Sequence, residues 1–253
     1  PERPLSRATS YGRINLSQSL LRWDELAYQG LAAQQLSQAV QESRLLQDSR
    51  GESYGLGQLA QLYEGAEQWE AAKQLTQQAL TLAQSLEESL NGRDLRALWQ
   101  WQLGRILDQL GEQAEAIALY RDTVSLLDEL RLDLVNFDPE LQFSYRYQIE
   151  PVYLGLVRLL LESAEARDSV GQAPIRQQTG IQEAQSILIS LRLSELNNFF
   201  RETCLEADAI DVEDLDESAA VFYTAVLSDR LAVILSLAGE YPILYETQKP
   251  RSE

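Results

Sequence analysis

The sequence predicts a mainly α-helical chain: a solenoid of helix–turn–helix pairs, then two long helices and a short C-terminal β-meander. Three observations carry that prediction. After Pro4 no proline occurs until Pro139, and the 134 residues between them are rich in Ala, Leu, Gln and Glu, all good helix formers. Within that stretch small residues, a turn glycine and aromatics recur in a fixed order. Past residue 218 the composition switches to β-branched and aromatic residues around a short turn.

The clearest repeat places Leu103-Gly104 at the close-packing pair of a first helix, Gly111 at the turn, and Ala116 and Tyr120 on the second helix. Another aligns Leu59-Ala60, Tyr63, Ala72 and Ala79, and a third runs from Ile14 to Leu21 and on through Ala32, Leu36 and Ala39. Small residues (Gly104, Ala60, Ala72, Ala116) let antiparallel helices approach, while Tyr63, Leu107 and Tyr120 fill the space between pairs. Ala39, Ala79 and Thr123 share one second-helix position at intervals of 40 and 44 residues. The extra residues fall near QDSRGE and EESLNGRD and predict lengthened helices. The pattern resembles the tetratricopeptide repeat, TPR, whose period is 34 residues.

Beyond Leu130 the pattern changes. Asp133–Phe143 contains Pro139 and reads as a connecting loop. A helix is expected over Tyr145–Glu165, with Pro151 in its first turns or at a kink. Ser163–Gln178 reads as a polar linker, disordered at Gly171–Pro174. A second helix covers Gly180–Glu206, with Ile181, Ala184, Ile187, Leu188, Leu191, Leu196 and Phe199 at helical spacing. Glu202–Glu217 holds eight acids and no base, and reads as a solvated connection because the ligand order of a calcium loop is missing. Ala219–Leu227, Leu231–Leu237 and ILYET form the meander. Two or three strands are marginal alone, so their faces and edges call for a covering partner.

Composition removes several functions. The 253 residues contain no His, no Met and one Cys, with 39 acids against 21 bases and a formal net charge of −18. Without His there is no Ser-His-Asp or Cys-His catalysis within the chain and no His-ligated zinc. One cysteine, Cys204, excludes an internal disulfide framework and a multi-thiolate metal site, and reads as a small buried residue on a helix face. The acidic balance opposes nucleic acid and anionic membranes, and no apolar run reaches the roughly 18 residues of a membrane helix. No cofactor and no metal are expected. The start at Pro1 without Met reads as a fragment of a longer protein; the compartment stays open, with the cytoplasm preferred.

SLRLSELNNFFRETCLEA (Ser190–Ala207) followed by AAVFYTAVLSDRLAVILSLAGE (Ala219–Glu240) resembles the junction in cyanobacterial proteins where TPR repeats lead into a CHAT domain, a caspase-like α/β domain. Gln100–Tyr120 and Asp133–Leu161 resemble the last repeat and connector of that family. The resemblance spans roughly Gly51–Glu246. It implies three parts: TPR-like repeats over 1–132, connector and junction helices over 133–207, and an acidic linker with the first strands of a truncated CHAT-like domain over 208–253. The family's His/Cys dyad would lie downstream, so no catalytic residue carries over, and Cys204 does not match the nucleophile. The implied role is a TPR arm that binds a protein and regulates or targets the CHAT domain in cis. The alternative is the non-catalytic fragment of a cysteine protease.

Stacked helix pairs make a concave surface lined mainly by first helices. The template puts Tyr11, Asn15, Gln18 and Arg22 there from the first unit, Tyr54, Gln58 and Gln61 from the second, and Trp101, Gln102 and Arg105 from the third. The amides suit an extended peptide backbone, and Arg22 and Arg105 suit a carboxylate. Trp99 and Trp101 fall on different helix faces, one toward the core and the other exposed. A bare strand edge would also support a homo-oligomer through the C-terminal strands.

Overall fold

The computed structural model describes residues 5–22, 26–86, 90–134, 139–168, 174–200 and 218–248. The helices are α1 Arg7–Leu21, α2 Leu26–Leu45, α3 Ser49–Gly65, α4 Trp69–Gln84, α5 Leu90–Gln109, α6 Gln113–Leu134, α7 Pro139–Asp168 and α8 Pro174–Phe200. The strands are β1 Ala220–Val226, β2 Arg230–Leu237 and β3 Ile243–Gln248. The expected order, helical pairs, then two long helices, then a meander, is what the chain adopts. It divides into two compact units, Pro1–Leu126 and Leu127–Glu253.

In the first unit the helices are joined by a turn used three times. At the ends of α2, α3 and α5 one residue takes a left-handed conformation: Gln47 (φ 53°), Glu67 (φ 57°) and Gly111 (φ 79°). Its N–H bonds the carbonyl three residues back, and the next N–H (Asp48, Gln68, Glu112) bonds the carbonyl five back. Those pairings occupy carbonyls a helix end would otherwise leave open. The third residue of each turn then accepts the first bond of the next helix, from Glu52, Ala72 and Ala116 respectively. At the α2–α3 turn the Asp48 carboxylate adds a side-chain cap, accepting from the Gly51 N–H at 3.1 Å.

Small residues set the helix spacing as the repeats required. Ala32, Ala72 and Ala116 are fully buried, as are Ala39, Ala79 and Thr123. Gly104 abuts the Tyr120 ring, where a Cβ would lie 2.9 Å from it. The buried hydroxyls find helix carbonyls: Ser17 donates to Arg13 at 2.8 Å, Thr76 to Ala72 at 2.8 Å and Thr123 to Leu119 at 2.7 Å. Of the extra residues, Ser49–Glu52 open α3 and Leu90–Asp94 open α5, as lengthened helices required, while 87–89 lie outside the described residues. Trp99 is buried against α3. A Cβ built on Gly57 would lie only 2.3 Å from its indole ring, and its Nε1–H donates to the Ser53 hydroxyl at 3.0 Å. Ser53 in turn donates to the Ala79 carbonyl of α4 at 2.8 Å, so one chain of hydrogen bonds joins α5, α3 and α4.

The second unit corrects three expectations. Asp133–Phe143 is not a loop throughout: Asp133 and Leu134 end α6, and Pro139–Phe143 begin α7, leaving 135–138 outside the described residues. Ser163–Gln178 is not a linker throughout, because Ser163–Asp168 belong to α7 and Pro174–Gln178 to α8. Both prolines stand at the first position of a helix, where the missing N–H has no partner to lose. α7 therefore runs 30 residues and carries Pro151 in its interior rather than its first turns. Burial of Ile149, Val152, Tyr153, Leu156, Val157, Leu159, Leu160 and Leu161 along it outweighs the lost backbone bond. α8 begins earlier than expected, at Pro174. Cys204, the acidic stretch at 202–217 and residues 169–173 lie outside the described residues.

The three strands form one antiparallel sheet in the order β1-β2-β3. Phe222 faces Leu235, which faces Ile243, and Thr224 faces Val233, which faces Tyr245. Ala225, Ala232, Ile234 and Ser236 are buried on one face. Arg230 joins that side to α7, at 3.0 Å from Glu246 and 3.7 Å from Glu162.

Gly57 is the position least able to accept a side chain. Gly57→Ala is expected to lower stability by about 1–3 kcal/mol, because the indole or the backbone must shift. Gly12, on an exposed stretch of α1, faces open space. Gly12→Ala is expected to raise stability by about 0.5–1 kcal/mol. Urea denaturation of both variants checks the contrast, and equal effects would refute it.

Candidate functional site

α1, α2 and α3 enclose a groove of about 540 Å³ lined by Gln18, Leu21, Arg22, Gln29, Gln58, Gln61, Leu62 and Gly65. Four of the residues placed on the concave face from sequence, Gln18, Arg22, Gln58 and Gln61, come together here. Leu21 and Leu62 supply apolar surface, and Gly65 leaves one end of the wall without a side chain. Gln18 is held by donating from Nε2 to the Tyr54 hydroxyl at 3.0 Å. Tyr54 in turn stands 6.0 Å from Trp99, ring to ring, tilted by 55°. The wall of the groove is thus braced from the α3–α5 contact behind it.

The remaining candidates lie elsewhere. Asn15 is exposed on α1, outside the groove lining. Tyr11 is half-buried, and its hydroxyl is held above the usual tyrosine pKa by burial first and the Asp48 carboxylate second, with Arg50 and Arg7 pulling the other way. Gln102 is turned inward: it is buried and donates from Nε2 to the Gly57 carbonyl at 3.2 Å. Its amide clamps α5 to α3 and does not face a ligand. Trp99 is the core tryptophan, while Trp101 is half-buried rather than exposed, because the Arg105 guanidinium lies over its ring.

Arg105 already has its carboxylate. It holds Glu64 of α3 through two bonds, 2.8 Å from Nε to Oε1 and 2.9 Å from Nη2 to Oε2. Its guanidinium lies 4.4 Å from the Trp101 ring centroid, in cation–π range. The trio is a cross-helix clasp.

The same commitment recurs through the unit. Arg13 pairs with Glu42, Arg44 with Glu52, Arg50 with Asp94 and Lys73 with Glu112, all at 2.6–3.0 Å. Arg22 stands exposed at the groove, and no ion pair joins it to another described residue. Sequence reasoning missed Gln29, because the template drew the lining from first helices and Gln29 lies on α2. It also missed Glu64, whose signal, an acid at the end of α3, says nothing about a partner 41 residues away.

Among the described residues no cluster of three or more His, Cys, Asp or Glu could hold a metal ion. No described helix is long and apolar enough to cross a membrane.

Comparison with protein-family profiles finds no match, and comparison with curated proteins finds none. Among solved structures, a Podosopora anserina kinesin-light-chain protein of nearly identical TPR-like repeats is similar at 18% identity and a TM-score of 0.42, over 75% of this chain and 97% of that one. A single-substitution variant of the same protein is similar at 18% identity and a TM-score of 0.42, over 77% and 98%. The repeat architecture of this chain rests on its own turns and helix contacts, not on these likenesses. The first unit is a stack of helix–turn–helix pairs with an open, amide-lined groove.

Arg105→Ala is expected to lower stability by about 1 kcal/mol, the scale of a well-formed but partly solvated forked pair. Arg105→Lys should recover little, since a point charge cannot reproduce the fork. Urea unfolding checks both, and a neutral Arg105→Ala would refute the clasp. Tyr11 is expected to titrate above pH 10 in the folded chain. The stability tied to its bound proton is complete below the unfolded value of about 10 and is lost as pH rises through the higher folded value. Absorbance at 295 nm through an alkaline titration, with Tyr11→Phe as reference, checks this; a Tyr11 titrating at or below about 10 would contradict it.

Proposed function

We propose that the chain is a protein-interaction module whose first unit receives an extended peptide segment in the α1–α2–α3 groove. The observation that carries this reading is the groove lining itself: Arg22, exposed and in no ion pair among the described residues, stands with four glutamine side chains in a chain of net charge −18. Glutamine ends offer both a donor and an acceptor, which suits the alternating groups of a peptide backbone. Leu21 and Leu62 suit an apolar side chain, and Arg22 suits a carboxylate on the peptide. No catalysis is assigned to the chain itself, which has no histidine for either dyad.

The resemblance to TPR–CHAT proteins extends the proposal. In that reading the module is an arm that targets or regulates a caspase-like domain in cis, and the meander is the start of that domain. What supports it is the chain order, helical pairs followed by an antiparallel meander, together with the unbroken apolar run of β2. Strands written that way are usually buried on both faces.

Selection of a phage-displayed random peptide library on the whole chain tests the groove. The enriched peptides are expected to carry an acidic residue or use a free C-terminus. Their affinity should fall about tenfold or more in Arg22→Ala, the scale of one charge-assisted bond. Gln58→Ala with Gln61→Ala should weaken them as well. Peptides bound equally well by all three forms would place the binding surface elsewhere and end this reading.

A further inference from the structure

Glycine is less favourable than alanine in a helix, so a helical glycine calls for a reason. Elsewhere in the first unit the reason is close at hand. An added Cβ would stand 2.9 Å from Val40 at Gly55, 2.3 Å from Trp99 at Gly57, 2.9 Å from Tyr120 at Gly104 and 2.7 Å from the Leu86 backbone at Gly92. Gly111 takes a left-handed φ of 79°. Gly65 has neither reason. It is the last residue of α3, its φ lies outside the left-handed region, and a Cβ built on it meets nothing within 4 Å beyond its own turn of helix. The turn that follows does need a left-handed residue, but places it at Glu67. Gly12 and Gly30 have the same open space above them; Gly65 differs from both in lining the α1–α2–α3 groove.

Gln58, Gln61, Leu62 and Gly65 are spaced i, i+3, i+4 and i+7, which sets them on one face of α3. Cα–Cβ bonds tilt toward the N-terminus of a helix, so a side chain at 65 would lean back over Gln61 and Leu62 along the groove wall. With glycine there the α3 backbone is exposed at this spot, next to the half-buried Leu62. The amides of Gln58 and Gln61 lie one and two turns back, placed for the main chain of a ligand. What the wall lacks at 65 is side-chain volume, and the nearest lining residue on that face is apolar.

We propose that Gly65 determines the specificity of the groove: the space above it takes a large apolar side chain of the bound peptide, a leucine or an aromatic, packed against Leu62. The inference rests on the peptide-groove reading and adds a ligand class to it, peptides that combine a carboxylate for Arg22 with a large apolar residue for the bare end of the wall. Covering Leu62 and the α3 backbone removes apolar surface from water, which a small ligand residue would leave wet. The glycine's cost to the helix is then offset in the complex, where the ligand supplies the missing side chain.

Random peptides selected by phage display on the whole chain should share one large apolar residue. An enriched peptide and its relative with that residue replaced by alanine, each titrated calorimetrically against the wild type and Gly65→Leu, complete a double-mutant cycle. The wild type should prefer the large residue by about tenfold or more, and Gly65→Leu should lose or reverse that preference. A substitution that merely disturbed the fold would weaken both peptides alike. The urea midpoint of Gly65→Leu should not fall below that of the wild type, since the added side chain meets no packed atom. Gly65→Ala, which adds a single methyl, runs the same cycle on a smaller scale should leucine disturb the end of α3. A preference unchanged in both variants, with binding still lost in Arg22→Ala, overturns the role of Gly65 and leaves the groove reading standing. A selection that enriches no large apolar residue overturns it too. Binding indifferent to Arg22, Gln58 and Gln61 ends both.

Discussion

The contact between Trp99 and Gly57 is the constraint on which the first unit depends. An indole can lie against the backbone of α3 only because residue 57 has no side chain, and once there it donates to Ser53, which donates onward to α4. The same ring flanks Tyr54, whose hydroxyl accepts from Gln18 on α1. The seat of α3 and the shape of the groove wall on its other side thus follow from one close approach. Such a contact gains from dispersion and from a satisfied indole donor, and both are lost if the helices part by a fraction of an ångström.

The electrostatics follow a second rule. In a strongly acidic chain, several described cations of the first unit bind an acid on another element. Arg13–Glu42, Arg50–Asp94, Lys73–Glu112 and Arg105–Glu64 each join elements far apart in sequence. Singly, exposed pairs of this kind contribute little. Their collective effect is on the surface: charges satisfied internally do not advertise themselves to partners, and Arg22 differs in having no ion pair to another described residue.

What was legible in the sequence is what the packing writes in small residues. Ala32, Ala72 and Ala116, with Ala39, Ala79 and Thr123, had to be small for helices to meet, and all are fully buried. The meander was legible because period and composition change together at Ala219. The extents of α7 and α8 were not, because proline means opposite things inside a helix and at its first position, and only the surrounding burial decides which applies. For the site, Gln18, Arg22, Gln58 and Gln61 follow the repeat template into the groove. Gln102 occupies the repeat position of Gln58 yet turns inward to the Gly57 carbonyl, and Arg105 occupies that of Gln61 yet is claimed by Glu64. A template carries positions but not the local competition for hydrogen bonds.

The three turns have a consequence for how such a chain can diverge. Their geometry is made entirely of main-chain bonds, and the left-handed residue is Gln47, Glu67 or Gly111 with little difference in the result. Two of the three carry a steric cost of about 1–2 kcal/mol that glycine would avoid. The motif is therefore robust to side-chain identity, and the helices between turns can lengthen, from 40 to 44 residues between equivalent positions, without disturbing it. Such an architecture can outlast the sequence similarity that once described it: side chains drift, insertions accumulate by whole turns, and what is inherited is a pattern of carbonyls and amides.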